Sequence, residues 1–130
     1  MGYTRYWART EKPITEDFVN ECMEIIQEAE QKGITICGWD GKGKPVVTLD
    51  EIRFNGKAPH MDHETFCITN EKNDIGFGFC KTARKPYDYV VKRILKVAKD
   101  MDIVTKVSSD GENTMRTDKQ YLDENGVKEA

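Results

Sequence analysis

The segment Phe79-Cys80-Lys81-Thr82-Ala83-Arg84-Lys85-Pro86-Tyr87-Asp88 decides the fold, because a short apolar run passes here into the start of an amphipathic helix. Pro86 suits the first helical position, where no backbone N–H is needed. A helix start carries unpaired N–H groups and about half a unit of positive charge. The three cations of this segment therefore predict an anion-binding turn. A solvated basic turn is the alternative interpretation.

The helix that follows is predicted from apolar residues at helical spacing, and a last strand is predicted over residues 103–108. That strand leads into the turn Ser109-Asp110-Gly111, whose side chains could offer hydroxyls and a carboxylate to the ribose of a ligand. The apolar stripe of the helix comprises Tyr87, Val90, Val91, Ile94, Ala98 and Met101. Its outward face carries Lys92, Arg93, Lys96 and Lys99.

Residues 3–9 are predicted to form the first strand, because tyrosine, tryptophan and threonine favour strands. Alternation gives one face that we expect to meet the core and a second face that interleaves two aromatics with two arginines. Such a face can stack on a base and hold a phosphate. Alternatively, Trp7 is a core residue and the arginines extend past it. The expected core face holds Thr4, Tyr6 and Ala8, and the second face holds Tyr3, Arg5, Trp7 and Arg9.

A first helix is predicted after Pro13-Ile14, with Thr15 as its N-cap and Gly33 at its end. Glu16 and Asp17 suit the first turn, because acidic side chains favour the positive end of a helix. An acidic stripe on the other face is expected to be solvated surface. The apolar stripe comprises Phe18, Cys22, Ile25, Ile26 and Ala29.

Short strands separated by turns are predicted through the middle of the chain. The stretch 38–44 has the spelling of a phosphate-binding P-loop, but Pro45 replaces the metal-binding Ser or Thr and the next segment resembles a strand. We therefore predict a hairpin turn at Asp40-Gly41 and another turn at Asn55-Gly56. The predicted strands cover residues 34–39, 46–49, 51–55, 63–69 and 77–80.

Two amphipathic helices and several alternating strands predict an α+β fold in the order β-α-β-β-β-β-(β)-α-β. We expect a two-layer sandwich with a mainly antiparallel sheet and both helices on one face. The other sheet face would be solvated or would form an interface between copies of the chain. Residues 1–111 are predicted to form this single domain, and residues 112–130 a polar, flexible tail.

The composition of the 130 residues is that of a polar domain, with 33% charged side chains and a net charge of −3. This charge argues against general coating of nucleic acid, although a local basic pocket remains compatible with it. The four cysteines are widely spaced, and the N-terminus lacks the apolar core of a signal peptide. We therefore expect reduced thiols, a cytoplasmic protein and no membrane segment.

Metal-binding residue types are densest in His60-Met61-Asp62-His63-Glu64, but two histidines on one helix face are not predicted there. The enzymatic alternative is a small metal-assisted phosphoesterase or nuclease that uses His63, Glu64, Asp40 and Asp110. Alternatively, these residues form a polar loop beside a strand and have no catalytic role. No metal and no cofactor are expected.

A set of motifs is spread over residues 1–111: Gly2-Tyr3-Thr4-Arg5-Tyr6-Trp7, Gly38-Trp39-Asp40-Gly41, Ile52-Arg53-Phe54-Asn55-Gly56, His63-Glu64-Thr65-Phe66, Val107-Ser108-Ser109-Asp110-Gly111 and the segment 79–88. With these motifs the chain resembles a largely uncharacterised family of small phage and mobile-element proteins that begin M-G-Y-T-H-Y-W. Arg5 stands where that family usually has histidine. The resemblance therefore does not support a histidine-based chemistry at this position.

A small phage protein with a basic, aromatic pocket is similar in outline to proteins that sequester nucleotide signals of host immunity. We therefore predict a binding protein, not an enzyme, for an anionic, nucleotide-like small molecule. The alternatives are the metal-assisted enzyme and an anti-defence protein that docks on a host defence protein. A homo-oligomer is also expected. The predicted ligand contacts are Lys81, Thr82, Arg84, Lys85, Tyr87, Tyr3, Arg5, Trp7, Ser108, Ser109 and Asp110.

Overall fold

The computed structural model describes residues 3–110, in which two α-helices combine with seven short strands. All strand pairs in this range are antiparallel, so the predicted α+β class is confirmed. Neither helix is long and apolar enough to cross a membrane. The predicted tail, residues 112–130, lies outside the described part. The elements are β1 (Thr4–Arg9), α1 (Glu16–Gln31), β2 (Ile36–Cys37), β3 (Val46–Val47), β4 (Glu51–Gly56), β5 (Phe66–Thr69), β6 (Gly76–Lys81), α2 (Asp88–Asp100) and β7 (Val104–Ser109).

The first sheet has β1 at its centre, with β6 on one edge and β7 on the other. Both neighbours are antiparallel to β1, so β6 and β7 run in the same direction and α2 crosses between them. The register of β7 against β1 shifts between Tyr6 and Ala8. Lys106, in the shifted stretch, has a φ of 53°, as expected for a β-bulge.

The second sheet is built around β4, which pairs with β2, β3 and β5. The strands therefore divide into two small sheets, where the sequence predicts one. Buried side chains from both sheets and both helices pack into one core, which includes Trp7, Phe18, Phe54, Phe66 and Leu95.

β4 continues through Asn55 and Gly56, where the sequence predicts a turn. The Asn55 side chain binds backbone groups beside the end of this strand: Nδ2 donates to the carbonyls of Trp39 (3.1 Å) and His63 (2.9 Å), and Oδ1 accepts from the His63 N–H (3.0 Å). Because a side chain satisfies these groups, β2 and β5 are shorter than predicted. A Cβ at Gly56 would overlap the carbonyl oxygen of Met61, so this position requires glycine.

The two faces of β1 are the reverse of the prediction. Trp7 and Arg9 are each 4% exposed and lie on the core side, whereas Tyr6 is half-buried on the opposite side. Trp7 packs against Phe66, with ring centroids 5.3 Å apart. The space for its indole comes from Gly78, where a Cβ would lie 2.5 Å from Trp7 Nε1. Trp7 is therefore a core residue, as the alternative interpretation states.

α1 follows the prediction closely. Thr15 Oγ1 accepts a hydrogen bond from the N–H of Phe18 at 3.2 Å, so Thr15 is the N-cap. The helix ends next to Gly33, whose φ of 89° terminates it in the left-handed region. The predicted apolar stripe is buried along its whole length.

All four cysteines are free thiols, and burial raises the pKa of Cys22 and of Cys80 to about 12. Because the thiolate is the reactive form, these two thiols should resist alkylation in the folded protein. We expect iodoacetamide at about pH 8 to modify half-buried Cys67 first, and Cys22 and Cys80 only after unfolding. Peptide mass mapping measures this order, and complete modification of Cys22 in the folded protein would contradict it.

Candidate anion-binding site

The turn between β6 and α2 is held tightly to the start of β1. The N–H groups of Thr82 and Ala83 both donate to the carbonyl oxygen of Tyr3, at 2.9 and 3.2 Å. Ala83 and Arg84 have φ values of 53° and 57°, in the left-handed region that non-glycine residues rarely adopt. This conformation places the Arg84 guanidinium over the Tyr3 ring, 4.2 Å from its centroid.

A buried carboxylate lies at the start of α2. Asp88 is fully buried and forms a bidentate pair with Arg5, with Nε–Oδ1 and Nη2–Oδ2 distances of 2.9 Å each. Thr82 Oγ1 donates to Asp88 Oδ1 at 2.7 Å. The chain therefore supplies its own anion to Arg5 and Thr82, two of the residues that the sequence predicts to bind an external one.

Two later segments of the chain converge on Tyr3, the residue before β1. Its ring lies beneath the guanidinium of Arg84 and also within 5.3 Å of the Arg5 guanidinium. Its hydroxyl donates to Ser109 Oγ at 2.9 Å. Both the turn before α2 and the end of β7 thus meet the first strand at this residue.

Asp110 fixes the end of β7 to β1. Its carboxylate accepts from the Thr4 N–H at 3.0 Å and from the Tyr6 hydroxyl at 2.9 Å. The hydrogen bond to Asp110 raises the pKa of Tyr6. Ser108 pairs with Tyr6 in the register and is half-buried. These contacts hold the end of β7 against β1, beside Tyr3.

Four of the predicted ligand contacts are buried, Tyr3 (6% exposed) among them. Trp7 is 4% exposed, and Thr82 and Tyr87 have no exposed surface. The Tyr87 hydroxyl donates to the carbonyl of Glu64 at 2.5 Å, and burial raises the pKa of Tyr87. Their side chains therefore support the fold around the site. Lys81, in contrast, is exposed.

A basic cleft lies between α2 and β7, with a volume of about 380 Å³. Lys92, Lys96 and Lys99 project from one side of α2 because they follow the helical spacing i, i+4, i+7. Five of its six lining residues carry a cationic side chain. The lining comprises Arg5, Lys92, Arg93, Lys96, Lys99 and Val107.

Carboxylates hold two of the cleft's arginines in place. Arg5 is bound by Asp88, and Arg93 Nη1 lies 2.6 Å from Glu28 Oε2 on α1. The lysines at positions 96 and 99 are exposed. Arg5 belongs both to this cleft and to the cluster at Tyr3, so the predicted anion-binding turn and the cleft form one basic region.

The cleft is the part of the site that the sequence analysis missed. The four α2 cations were recognised only as the outward face of a helix. The three lysines among them, at i, i+4 and i+7, indicate a one-sided stripe, but the enclosure of this stripe in a cleft depends on β7 and on Arg5 from β1.

A larger groove of about 880 Å³ lies between α1 and β3. Apolar side chains such as Met23 and Val47 line it together with Glu24 and Glu30, and Lys44 is its single lining cation. An anion would meet two carboxylates there. The smaller basic cleft is therefore the better candidate for anion binding.

The residues of the enzymatic alternative lie in separate local networks. Asp40 accepts a backbone N–H within its own turn, Glu64 accepts one from β6, and Asp110 binds β1. His63 is joined to β4 through its backbone N–H. Across the described residues, no group of three or more His, Cys, Asp or Glu side chains could hold a metal ion.

The fold and the site together define an α+β domain with a one-sided basic cleft. No protein-family model, curated protein or solved structure matches the chain. The function is therefore argued from the chemistry of the cleft.

Proposed function

We propose that the protein binds an anionic, nucleotide-like ligand in the basic cleft between α2 and β7. One observation carries this proposal: five cationic side chains and one valine line a single cleft of about 380 Å³. A volume of this size is in the range of small-molecule sites, which lie at about 300–1,000 Å³. Concave surfaces of one charge concentrate ligands of the opposite charge.

The shape of the cleft favours a ligand with more than one phosphate. Lys92 and Lys99 are seven residues apart on α2, which corresponds to about 10 Å along the helix axis. Lys96 lies between them. A linked pair of phosphates could contact these lysines in succession, whereas a single phosphate could not reach both ends.

The two ordered arginines, Arg5 and Arg93, would also orient a bound ligand. Arg5 and Arg93 are already held by Asp88 and Glu28, so less side-chain entropy would be lost when a ligand binds. Arg84, stacked on Tyr3, extends the basic region toward the start of α2. Because Tyr3 is only 6% exposed beneath Arg84, a nucleotide base at this end would meet the Arg84 guanidinium and not the tyrosine ring.

Charge reversal within the cleft tests the proposal. We expect Lys96→Glu/Lys99→Glu to weaken binding of ADP-ribose or a cyclic dinucleotide by about 10-fold or more, because two favourable charge contacts become repulsive. Isothermal titration calorimetry measures the affinities, with inorganic phosphate as the single-phosphate comparison.

The matched control is Lys42→Glu/Lys57→Glu, which changes the net charge equally at two exposed lysines outside the cleft lining. It should bind like the wild type. Equal weakening in both double variants would mean that only the net charge matters, and wild-type affinity in the cleft variant would exclude the cleft as the binding site.

The biological role that we propose for this binding is sequestration of a nucleotide signal of host immunity, in the cytoplasm of the host cell. This part rests on the family resemblance. Sequestration requires binding without turnover. Recovery of unchanged ligand after incubation with Mg²⁺, Mn²⁺ or Zn²⁺ would support it, whereas conversion of the ligand would favour the metal-assisted phosphoesterase.

A further inference from the structure

The outer face of the three-stranded sheet carries a row of aromatic rings, which we name the aromatic face: the half-buried Tyr6 and the exposed Phe77 and Phe79. Phe77 is 73% exposed and Phe79 46% exposed. Ring centroids are 6.1 Å apart for Tyr6–Phe77 and 5.8 Å apart for Phe77–Phe79. The rings therefore form one continuous surface across β1 and β6.

The alternation of β6 explains why these rings point outward. Its sequence places Gly76 and Gly78 on the core side and the two phenylalanines on the outer side. Gly78 is required where it is, because Trp7 fills the space that a side chain would take. No comparable packing holds Phe77, so its exposed ring adds little to folding stability. A contiguous exposed aromatic patch of this kind marks an interaction surface.

Polar side chains, one lysine and the Asp110 carboxylate, which accepts from the Tyr6 hydroxyl, lie beside the aromatic face. Lys81 is the next outward residue on β6 after Phe79 and is exposed. The register places Ser108 beside Tyr6 and Thr105 beside Ala8 on the same side of the sheet. An apolar partner would bury these polar side chains without giving them hydrogen-bond partners. A ligand with flat rings joined by phosphates would use both the aromatic rings and the lysine.

Single-stranded nucleic acid has this chemistry. The order Gly76-Phe77-Gly78-Phe79 equals the G-F/Y-G/A-F core of the RNP1 strand, whose outward aromatics stack on unpaired bases of RNA. Here too the strand lies beside β1 in an antiparallel sheet, and β1 adds the third aromatic, Tyr6. The chain departs from the RNP1 pattern at three positions, with Ile75 in place of a basic residue, Cys80 in place of valine and Thr82 in place of the last aromatic.

We propose that the aromatic face binds short single-stranded nucleic acid by stacking two or three unpaired bases on Phe77, Phe79 and Tyr6, with Lys81 beside a phosphate. The net charge of −3 is compatible with this, because stacking and not general charge attraction would hold the strand. The aromatic face is separate from the basic cleft, since none of its three residues lines that cleft. The inference is therefore independent of the proposed function.

Fluorescence anisotropy with short labelled single-stranded RNA and DNA oligonucleotides tests this inference. We expect Phe77→Ala and Phe79→Ala each to weaken binding by about 10-fold or more, because a stacked base loses its platform. Phe77→Tyr should retain most of the affinity, since it keeps a stacking ring. Thermal unfolding of the alanine variants should stay close to wild type, because the rings removed are exposed.

The matched control is Trp39→Ala, which removes a 65% exposed aromatic side chain elsewhere and should leave binding unchanged. Wild-type affinity in Phe77→Ala/Phe79→Ala, or equal affinity for a duplex of the same sequence, would overturn the inference. So would sedimentation showing that the aromatic face pairs two copies of the chain while oligonucleotides fail to bind. ADP-ribose binding by Phe77→Ala/Phe79→Ala reports on the cleft separately.

Discussion

Asp88→Asn is expected to lower the free energy of unfolding by about 3–5 kcal/mol, because removal of one partner from a buried ion pair leaves the other charge uncompensated. The side chain of Asp88 is 0% exposed and that of Arg5 is 11% exposed. An asparagine has nearly the same shape, but its amide would turn N–H groups toward the guanidinium. It also cannot restore both hydrogen bonds from Arg5 and the one from Thr82. Urea denaturation measures the loss.

Asp100→Asn is the control for this substitution, since Asp100 is an exposed residue at the end of α2. Its effect should stay within about 0.5 kcal/mol. Sulfate should stabilise Asp88→Asn more than the wild type, because a bound anion can take over part of the missing charge. Wild-type stability of Asp88→Asn would show that the Arg5 pair contributes nothing to the fold.

Arg9→Lys is expected to lower the free energy of unfolding by about 3 kcal/mol. The Arg9 side chain is only 2% exposed, and its guanidinium joins β1 to three later segments of the chain. Lysine keeps the charge but offers its donors from one point, so most of these acceptors would lose their partner. The acceptors are the carbonyls of Thr10, Lys12, Thr69 and Ile103 and Oδ1 of Asn70, at 2.6–3.2 Å.

Arg53→Lys provides the comparison, because Arg53 is 39% exposed and pairs with Glu51 at 3.3 Å. A surface pair of this kind contributes about 0–1 kcal/mol, so the conservative change should be nearly silent. Chemical denaturation of both variants gives the difference. If Arg9→Lys and Arg53→Lys cost the same, the buried hydrogen bonds of Arg9 are replaceable by water.

Local signals predict most of the elements, because caps, turns and hydrophobic spacing act within a few residues. Thr15 and Gly33 bound α1 as expected. The predicted α2 stripe matches at Val90, Val91, Ile94 and Ala98, but Leu95 is also buried and the helix begins at Asp88, not at Pro86. The faces of β1 could not be assigned this way. Alternation separates two sets of side chains, but the core side depends on Gly78, which lies far along the chain and provides the space for Trp7.

In the candidate site, too, local features can be predicted from the sequence, whereas contacts between distant segments cannot. The basic turn before α2 is visible in the sequence, but its approach to Ser109 depends on the sheet order β6-β1-β7, which no local signal gives. The pairing of Arg5 with Asp88 has no local signal, because the two residues meet only when β1 packs beside α2. The cleft likewise requires β7 to lie against the lysine stripe, with its bulge at Lys106.

The buried carboxylate at the start of α2 also bears on which ligands the protein would accept. In the cleft, a lone orthophosphate would have to compete for Arg5 with Asp88, which belongs to the same chain and is always present. The exposed Lys96 and Lys99 offer it further contacts. Each further linked phosphate gains one more lysine at little added entropic cost. Under the proposed function, a ligand with several linked phosphates would therefore be held more tightly than a lone small anion.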